Sequence, residues 1–468
     1  MSRVSRKILS LFAALGLLAA RAGADSGATL DPALRSAIDA AARDALATTG
    51  SPSAAVAVVR DGRIAYVQAY GSARLSPAAP ADPKMRYSIG SVSKQFTATA
   101  ILMLAEEGKL SLDDPVSRFV PGLTRGDEVT IRQLLSHTSG YQDYWPQDYV
   151  PPFMLQPTTA QAILDIWGRK PLDFEPGTQY QYSNTGYVIA GLIVEKASGM
   201  PLLPFLSARI FTPLAMGSVA NIDQERLGDT DPTGYIRYGL GPLRPAPREG
   251  KGWLFAAGEL AMTAEDLARW NVGMLQQKLL KPESYRAMQT EVLLKNGLGI
   301  SYGLGIDVLK SGGRRALEHG GEVSGFTAEN VVFPDDNAAI TVLVNQDAIG
   351  TSGVIAHKIA DLLFARDGAA AAAARASRIF EGLQHGKLDR ALFTSNANSY
   401  FTDPVLQDFA TGLSPLGAPK QIKQTRTSDR GGMTFRLFDV TFADRSLAIW
   451  ERDMPDGRIE QFQVMAGE

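Results

Sequence analysis

Ser91 and Lys94 stand three residues apart in "YSIGSVSKQFTATAILMLAEEGKL", a spacing that puts two side chains on one face of a helix. A serine hydroxyl is a weak nucleophile until a base removes its proton, and a neutral lysine amine one turn away can be that base. Burial and a neighbouring cation both lower a lysine's pKa, and a helix N-terminus stabilises developing negative charge. The bland alternative is a capping serine beside a solvated lysine. The pattern alone is weak, because S-x-x-K arises about once or twice by chance in a chain of this length.

Two further stretches carry matching chemistry. "GTQYQYSNTGYVIAGLIVEKASG" sets Tyr182, Ser183 and Asn184 at the head of an apolar helix, and "ALEHGGEVSGFTAENVVF" sets His319, Gly320 and Gly321 at the end of a strand. A tyrosine can relay a proton, an asparagine can orient an amide, and glycines let a strand edge approach a substrate closely.

Periodicity predicts the elements that must hold these residues. Apolar positions at helical spacing predict a helix over residues 31–48, and "AAVAVVRDGRIAYVQAYG" predicts two strands around a turn at Asp61 and Gly62. The stretch after Ser93 is apolar on most faces, so it predicts a buried central helix. Thr263, with Asp266 three residues on, predicts a capped helix start of the capping-box kind. "YGLGIDVL", "RALEHG", "FTAENVVFP" and "AAITVLVNQ" predict strands, and the next helix is predicted from about Ser352. One sheet built from both chain ends, beside a helical insertion, is the expected architecture.

"DGAAAAAARAS" at 367–377 marks a change of composition and predicts a connector, loose or helical, between a domain over 25–366 and a smaller one over 378–468. The smaller part predicts one or two helices and then a strand meander. It resembles a small α+β barrel of the nuclear-transport-factor-like kind and is expected to be an accessory module.

The first residues, "MSRVSRK", are basic, the next thirteen are apolar but too few to span a bilayer comfortably, and Ala22-Gly23-Ala24 fits a cleavage site. A signal over 1–24 and a periplasmic or secreted protein without stable membrane insertion are expected, against the alternative of a membrane anchor. The chain has no cysteine, which excludes disulfides, a thiol nucleophile and thiolate metal sites. Four histidines with no close pair argue against a metal hydrolase. A net charge of −2 gives no reason to expect nucleic acid as a partner.

The order S-x-x-K, Y-x-N, then a strand with histidine and glycines resembles the serine β-lactamase and penicillin-binding superfamily. Tyrosine in the second motif makes it similar to the branch of class C β-lactamases, DD-peptidases, esterases and D-aminopeptidases. "LDDPVSRFVPGL", "TIRQLLSHTSGY" and "AAGELAMTAEDLARW" extend the likeness over residues 30–365. The resemblance implies an α/β (α+β) fold of the β-lactamase/transpeptidase kind: an antiparallel sheet flanked by helices with a helical subdomain. It implies Ser91 as nucleophile, Lys94 and Tyr182 sharing the roles of base and proton donor, and Asn184 holding Lys94 and meeting the substrate amide. It places the oxyanion between the N–H groups of Ser91 and Glu322, with no cofactor and no metal.

The chain departs from that pattern where His319, Gly320 and Gly321 replace K-T-G. A histidine carries charge only near or below its usual pKa of about 6.5, and the Glu322 carboxylate would repel an anionic substrate. Carboxylate recognition is expected at His319 at low pH, or else at an arginine such as Arg314 or Arg315. An exported serine hydrolase acting on a small-molecule or peptide acyl substrate is expected, with esterase or peptidase activity favoured over β-lactam hydrolysis. A true class C-like β-lactamase, a DD-carboxypeptidase and a non-catalytic penicillin-recognition protein are the alternatives. His137 is expected to be structural, and Tyr141, Tyr144 and Trp145 to line the groove or to pack.

Overall fold

The computed structural model describes residues 29–466 apart from 148 and 312; the expected signal at 1–24 lies outside them. Helix α1 (Pro32–Thr49) starts on an Asp31 cap, whose carboxylate accepts the N–H groups of Ala33 and Leu34. Strands β1 (Ser53–Arg60) and β2 (Arg63–Leu75) form the expected hairpin. Asp61 and Gly62 turn it with φ of 52° and 68°, the left-handed pair of a tight hairpin turn.

The sheet is completed by β3 (Ala78–Pro80), β4 (Asp307–Ser311), β5 (Arg314–Val323), β6 (Phe326–Phe333) and β7 (Ala338–Val344), in the order β3-β2-β1-β7-β6-β5-β4, with every pairing antiparallel. Strand β1 joins the two chain ends, with Val56 opposite Val342. Its side chains alternate between two cores, as the strand period requires. Ala55, Ala57 and Val59 enter one core with the helical region, whereas Ala54, Val56 and Val58 enter the other with α1 and the last long helix.

Three helices of the middle region matter most to the site: α2 (Lys94–Glu106), α3 (Asn184–Ser198) and α4 (Ala264–Leu275). Every residue of α2 from Lys94 to Leu104 is buried, as its all-round apolar sequence predicts. Helix α4 keeps half of its expected capping box. Thr263 accepts the N–H of Asp266, but the Asp266 carboxylate turns away to accept from the N–H and hydroxyl of Ser218.

Residues 367–377 lie inside one continuous 34-residue helix, α5 (Thr351–Gln384), about 50 Å long at the α-helical rise. Its Ile355 and Ile359 pack in the large sheet's core, whereas Ala376, Phe380 and Leu383 pack in a third core. Helices α6 (Ser395–Tyr400) and α7 (Asp403–Leu413) and strands β8 (Gln421–Arg430), β9 (Met433–Thr441), β10 (Ser446–Asp453) and β11 (Ile459–Ala466) complete the C-terminal part. The strands form a meander in sequence order, and among the described residues nothing pairs β8 with β11. The expected barrel is therefore an open sheet, closed on one side by α5, whose Arg375 pairs with Glu451 and Asp453.

Candidate active site

The turn that carries Ser91 is set by contact between backbones. Tyr87 and Ser88 pair with Met262 and Ala261, Gly90 takes φ of 49°, and a single tight turn over Gly90–Ser93 runs straight into α2. A Cβ on Gly90 would lie 2.6 Å from the Glu322 nitrogen. Only glycine lets the Ser91 turn and β5 approach so closely. The N–H groups expected to cradle the oxyanion thus belong to two backbones in direct contact.

Lys94 is fully buried, and its Nζ lies 2.9 Å from Ser91 Oγ, 2.8 Å from Asn184 Oδ1 and 2.9 Å from the Ala257 carbonyl. Burial lowers its pKa to about 7, against the opposing pull of Asp143. A neutral amine has two N–H donors and one lone pair. With Asn184 and Ala257 accepting the donors, the lone pair is left for the Ser91 hydroxyl.

Tyr182 also bonds Ser91, and burial, the largest influence on it, holds its phenol protonated well above the usual range. Lys94 Nζ lies 4.9 Å from the Tyr182 ring centroid. Behind the ring, His137 stacks at 4.1 Å between centroids. His137 is buried with φ of 59°, and its Nδ1 accepts the Ser183 N–H at 3.1 Å. It fixes the Tyr182 segment, in keeping with the structural role expected of it.

Asn184 is oriented from the far side. Asp143 accepts from its backbone N–H at 3.1 Å and its Nδ2 at 3.2 Å, which turns Oδ1 toward Lys94. Asp143 is itself pushed above the usual carboxylate range by burial. Ser91, Asp143, Tyr182, Asn184 and Glu322 line one cavity of about 710 Å³, with Tyr144 and Trp145 on its wall. Tyr141 is instead a packing residue whose hydroxyl donates to the Thr124 carbonyl.

Residues 38–363 match the family described as Beta-lactamase. The chain belongs to the beta-lactamase family. The serine-hydrolase class read from the sequence stands with that membership. Penicillin-binding protein 4* of Bacillus subtilis (strain 168) is 29% identical over 307 residues, covering 62% of this chain and 68% of that protein. A D-aminopeptidase of Brucella anthropi is 28% identical over 331 residues, covering 70% of this chain and 62% of that enzyme; the chain thus spans about six tenths of that relative's length. Among solved structures, a D-stereospecific amidohydrolase from Streptomyces sp. superposes with a TM-score of 0.59 at 29% identity, over 68% of this chain and 96% of that one. The octameric penicillin-binding protein homologue from Pyrococcus abyssi shares the fold at 22% identity, with a TM-score of 0.62 over 92% of this chain and 99% of that one. The β-lactamase/transpeptidase-like architecture expected from the sequence is the one observed.

Within this family frame, His319 corrects an expectation. It is buried, with Nδ1 2.6 Å from the Gly320 carbonyl and Nε2 2.9 Å from the Tyr302 hydroxyl. The carbonyl can only accept, so the ring proton sits on Nδ1 and Nε2 accepts from Tyr302. Burial first, then Lys94, lowers its pKa to about 4. His319 is therefore neutral across the range where a cationic stand-in for lysine is expected. The two alternative arginines are engaged elsewhere: Arg314 pairs with Asp336, and Arg315 donates to the Gln289 carbonyl.

Glu322 is exposed, and its carboxylate accepts the Ala348 N–H at 2.8 Å. Gly320 and His319 face a second, shallower depression that also reaches Ser91. Sequence reasoning misses Asp143 and the Ala257 carbonyl. Asp143 is one of two acids in the aromatic stretch "YQDYWPQDY" with no motif around it, and a backbone carbonyl has no signature in residue type.

Proposed function

We propose that this chain is an exported serine hydrolase that cleaves the amide bond of small amino-acid amides or short peptides through an acyl-enzyme on Ser91. The observation that carries the reading is Lys94, buried, with a pKa near 7, and in contact with the Ser91 hydroxyl.

As the neutral amine takes the Ser91 proton, Oγ attacks the substrate carbonyl, and the oxyanion forms between the N–H groups of Ser91 and Glu322. Such preorganised donors each contribute about 3 to 4 kcal/mol to the barrier reduction. Tyr182, protonated, gives its proton to the departing nitrogen and recovers it through Lys94. Water then attacks the acyl-enzyme with the same groups in reverse roles. Asn184 holds Lys94 and keeps one of its two amide N–H groups uncommitted among the described residues.

Relatives named D-aminopeptidase and D-stereospecific amidohydrolase support amides as the reacting class. Neutral His319 disfavours β-lactams, whose free carboxylate finds no cation at that position. Esters are more reactive acyl donors and are expected to turn over as well. Export rests on the basic and apolar opening residues.

Intact-mass analysis with a fluorophosphonate and with a penicillin, alongside turnover of D-phenylalanine amide, a p-nitrophenyl ester and nitrocefin, tests the reading. The expected result is fluorophosphonate labelling that disappears in Ser91→Ala, with amide and ester turnover exceeding that of nitrocefin. Labelling that survives in Ser91→Ala would overturn the assignment. A secreted product beginning at Asp25 is the expected mark of export.

A further inference from the structure

Beside the Ser91 cavity lies a second hollow of about 320 Å³. Leu254, Val323 and Ser324 line both, so the two adjoin at the end of β5. This hollow lies beyond Glu322 on the side opposite His319, because β5 runs from His319 through Glu322 to Val323. In the acyl-enzyme reading it receives the end of the substrate that stays on Ser91.

The Ser91 cavity is lined by Asp143, Glu322 and Asp347 and by no arginine or lysine. The adjoining hollow carries Arg226, Arg248 and Lys251. Arg226 and Arg248 are exposed, and among the described residues neither has an ion-pair partner within contact distance; Arg248 feels the like charge of Arg226 and, less strongly, the opposite charge of Glu249.

Three acids, Asp223, Glu225 and Glu249, line the same hollow, and two of them are held by backbone N–H groups. Asp223 accepts the N–H groups of Gly252 and Leu254 at 2.9 and 3.0 Å, and Glu249 accepts that of Ser324 at 2.9 Å. Glu225 is exposed and acts on Arg86, which Asp231 already pairs. Two guanidinium groups at one hollow, neither held in an ion pair, can take an anion between them, and guanidinium groups bind carboxylates through paired N–H donors.

We propose that Arg226 and Arg248 form a carboxylate-binding subsite for the acyl end of the substrate. The enzyme then prefers acyl groups that carry a terminal acid several bonds from the scissile carbonyl. This subsite deepens the acyl-enzyme reading and rests on it, yet binding and turnover can be measured apart.

Binding is measured first on Ser91→Ala, which needs no turnover, by calorimetry with the monoamides of suberic and sebacic acid, each as the free acid and as its methyl ester. The acid is expected to bind at least about tenfold tighter than its ester, with an advantage that shrinks as salt rises. In the Ser91→Ala background, Arg226→Ala with Arg248→Ala is expected to bring the pair to equality. Equal binding of acid and ester before the arginines are changed, or an advantage that survives their removal, overturns the proposal. Turnover of the matching p-nitroanilides by the enzyme with Ser91 intact is read separately: failure to cleave any of them counts against the hydrolase reading, while the binding ratio still decides the subsite.

Discussion

A Cβ atom placed on Gly321 would fall 1.9 Å from the carbonyl oxygen of Ile89 and 3.2 Å from the nitrogen of Ser91. Strand β5 and the Ser91 turn are therefore in backbone contact, and the relative position of the two proposed oxyanion donors depends on the absence of one methyl group. Gly321→Ala must push β5 away and carry the Glu322 N–H with it. The expected outcome is a fall in kcat of about 10² to 10³, the cost of losing one oxyanion donor, with the circular dichroism spectrum retained. A variant within twofold of wild type would place the oxyanion elsewhere.

Lys94 and Tyr182 meet at the same Ser91 oxygen, and in the proposed mechanism they act as one proton-transfer unit. Lys94→Ala and Tyr182→Phe are each expected to lower kcat by at least about 10². The double variant is expected to be little worse than the poorer single one, because removing either breaks the same relay. Additive barriers in the double-mutant cycle would show two independent roles.

Local spacing makes part of this site legible in the sequence. Ser91 and Lys94 fall on one face because a helix repeats every 3.6 residues, and turn chemistry dictates the Asp61-Gly62 hairpin. The protonation of His319 is not legible, since its pKa is set by burial among Tyr182, Tyr302 and Lys94, which come from three distant segments. Local chemistry assigns Asp266 to its own helix end, because a cap is the nearest option, yet Ser218, 48 residues away, holds its carboxylate. Nor can the spacing of the C-terminal strands tell a closed barrel from an open meander, because closure depends on whether the first and last strands meet.

Glu259 supports the proposed base, Lys94, at one remove. It is buried, its Oε1 accepts the Ala256 N–H at 3.2 Å, and its Oε2 accepts Asn221 Nδ2 at 2.8 Å. Ala256 has φ of 60°, a costly conformation for a residue with a Cβ, and the next carbonyl, that of Ala257, accepts from Lys94. Glu259→Ala frees this turn and is expected to lower kcat about tenfold and to move the acidic limb of the pH profile. Glu259→Gln, whose remaining amide oxygen can still accept the Ala256 N–H, is expected to keep most activity and an unmoved limb. If both variants lose activity equally with the limb in place, Glu259 serves folding alone.

The pH dependence separates Lys94 from the acids beside His319. Because the folded pKa of Lys94 is about 7, kcat/KM for a neutral amide is expected to climb about tenfold per unit below pH 7 and to level off above it. His319, with a pKa of about 4, stays neutral from about pH 5.5 to 8 and adds nothing to that profile. Asp307 and Glu329 line the same shallow depression as His319, and their pKa values are raised to about 7 and about 8, by burial first and then by the charge of Glu318. A raised carboxyl pKa means that charge is lost as pH falls through the folded value. Repulsion of a substrate carboxylate held on that side therefore declines between about pH 8 and 6. A substrate with such a carboxylate should gain on its methyl ester over that range, and the gain should persist in His319→Gln and shrink in Asp307→Asn with Glu329→Gln. Loss of the gain in His319→Gln alone would return carboxylate recognition to the imidazole.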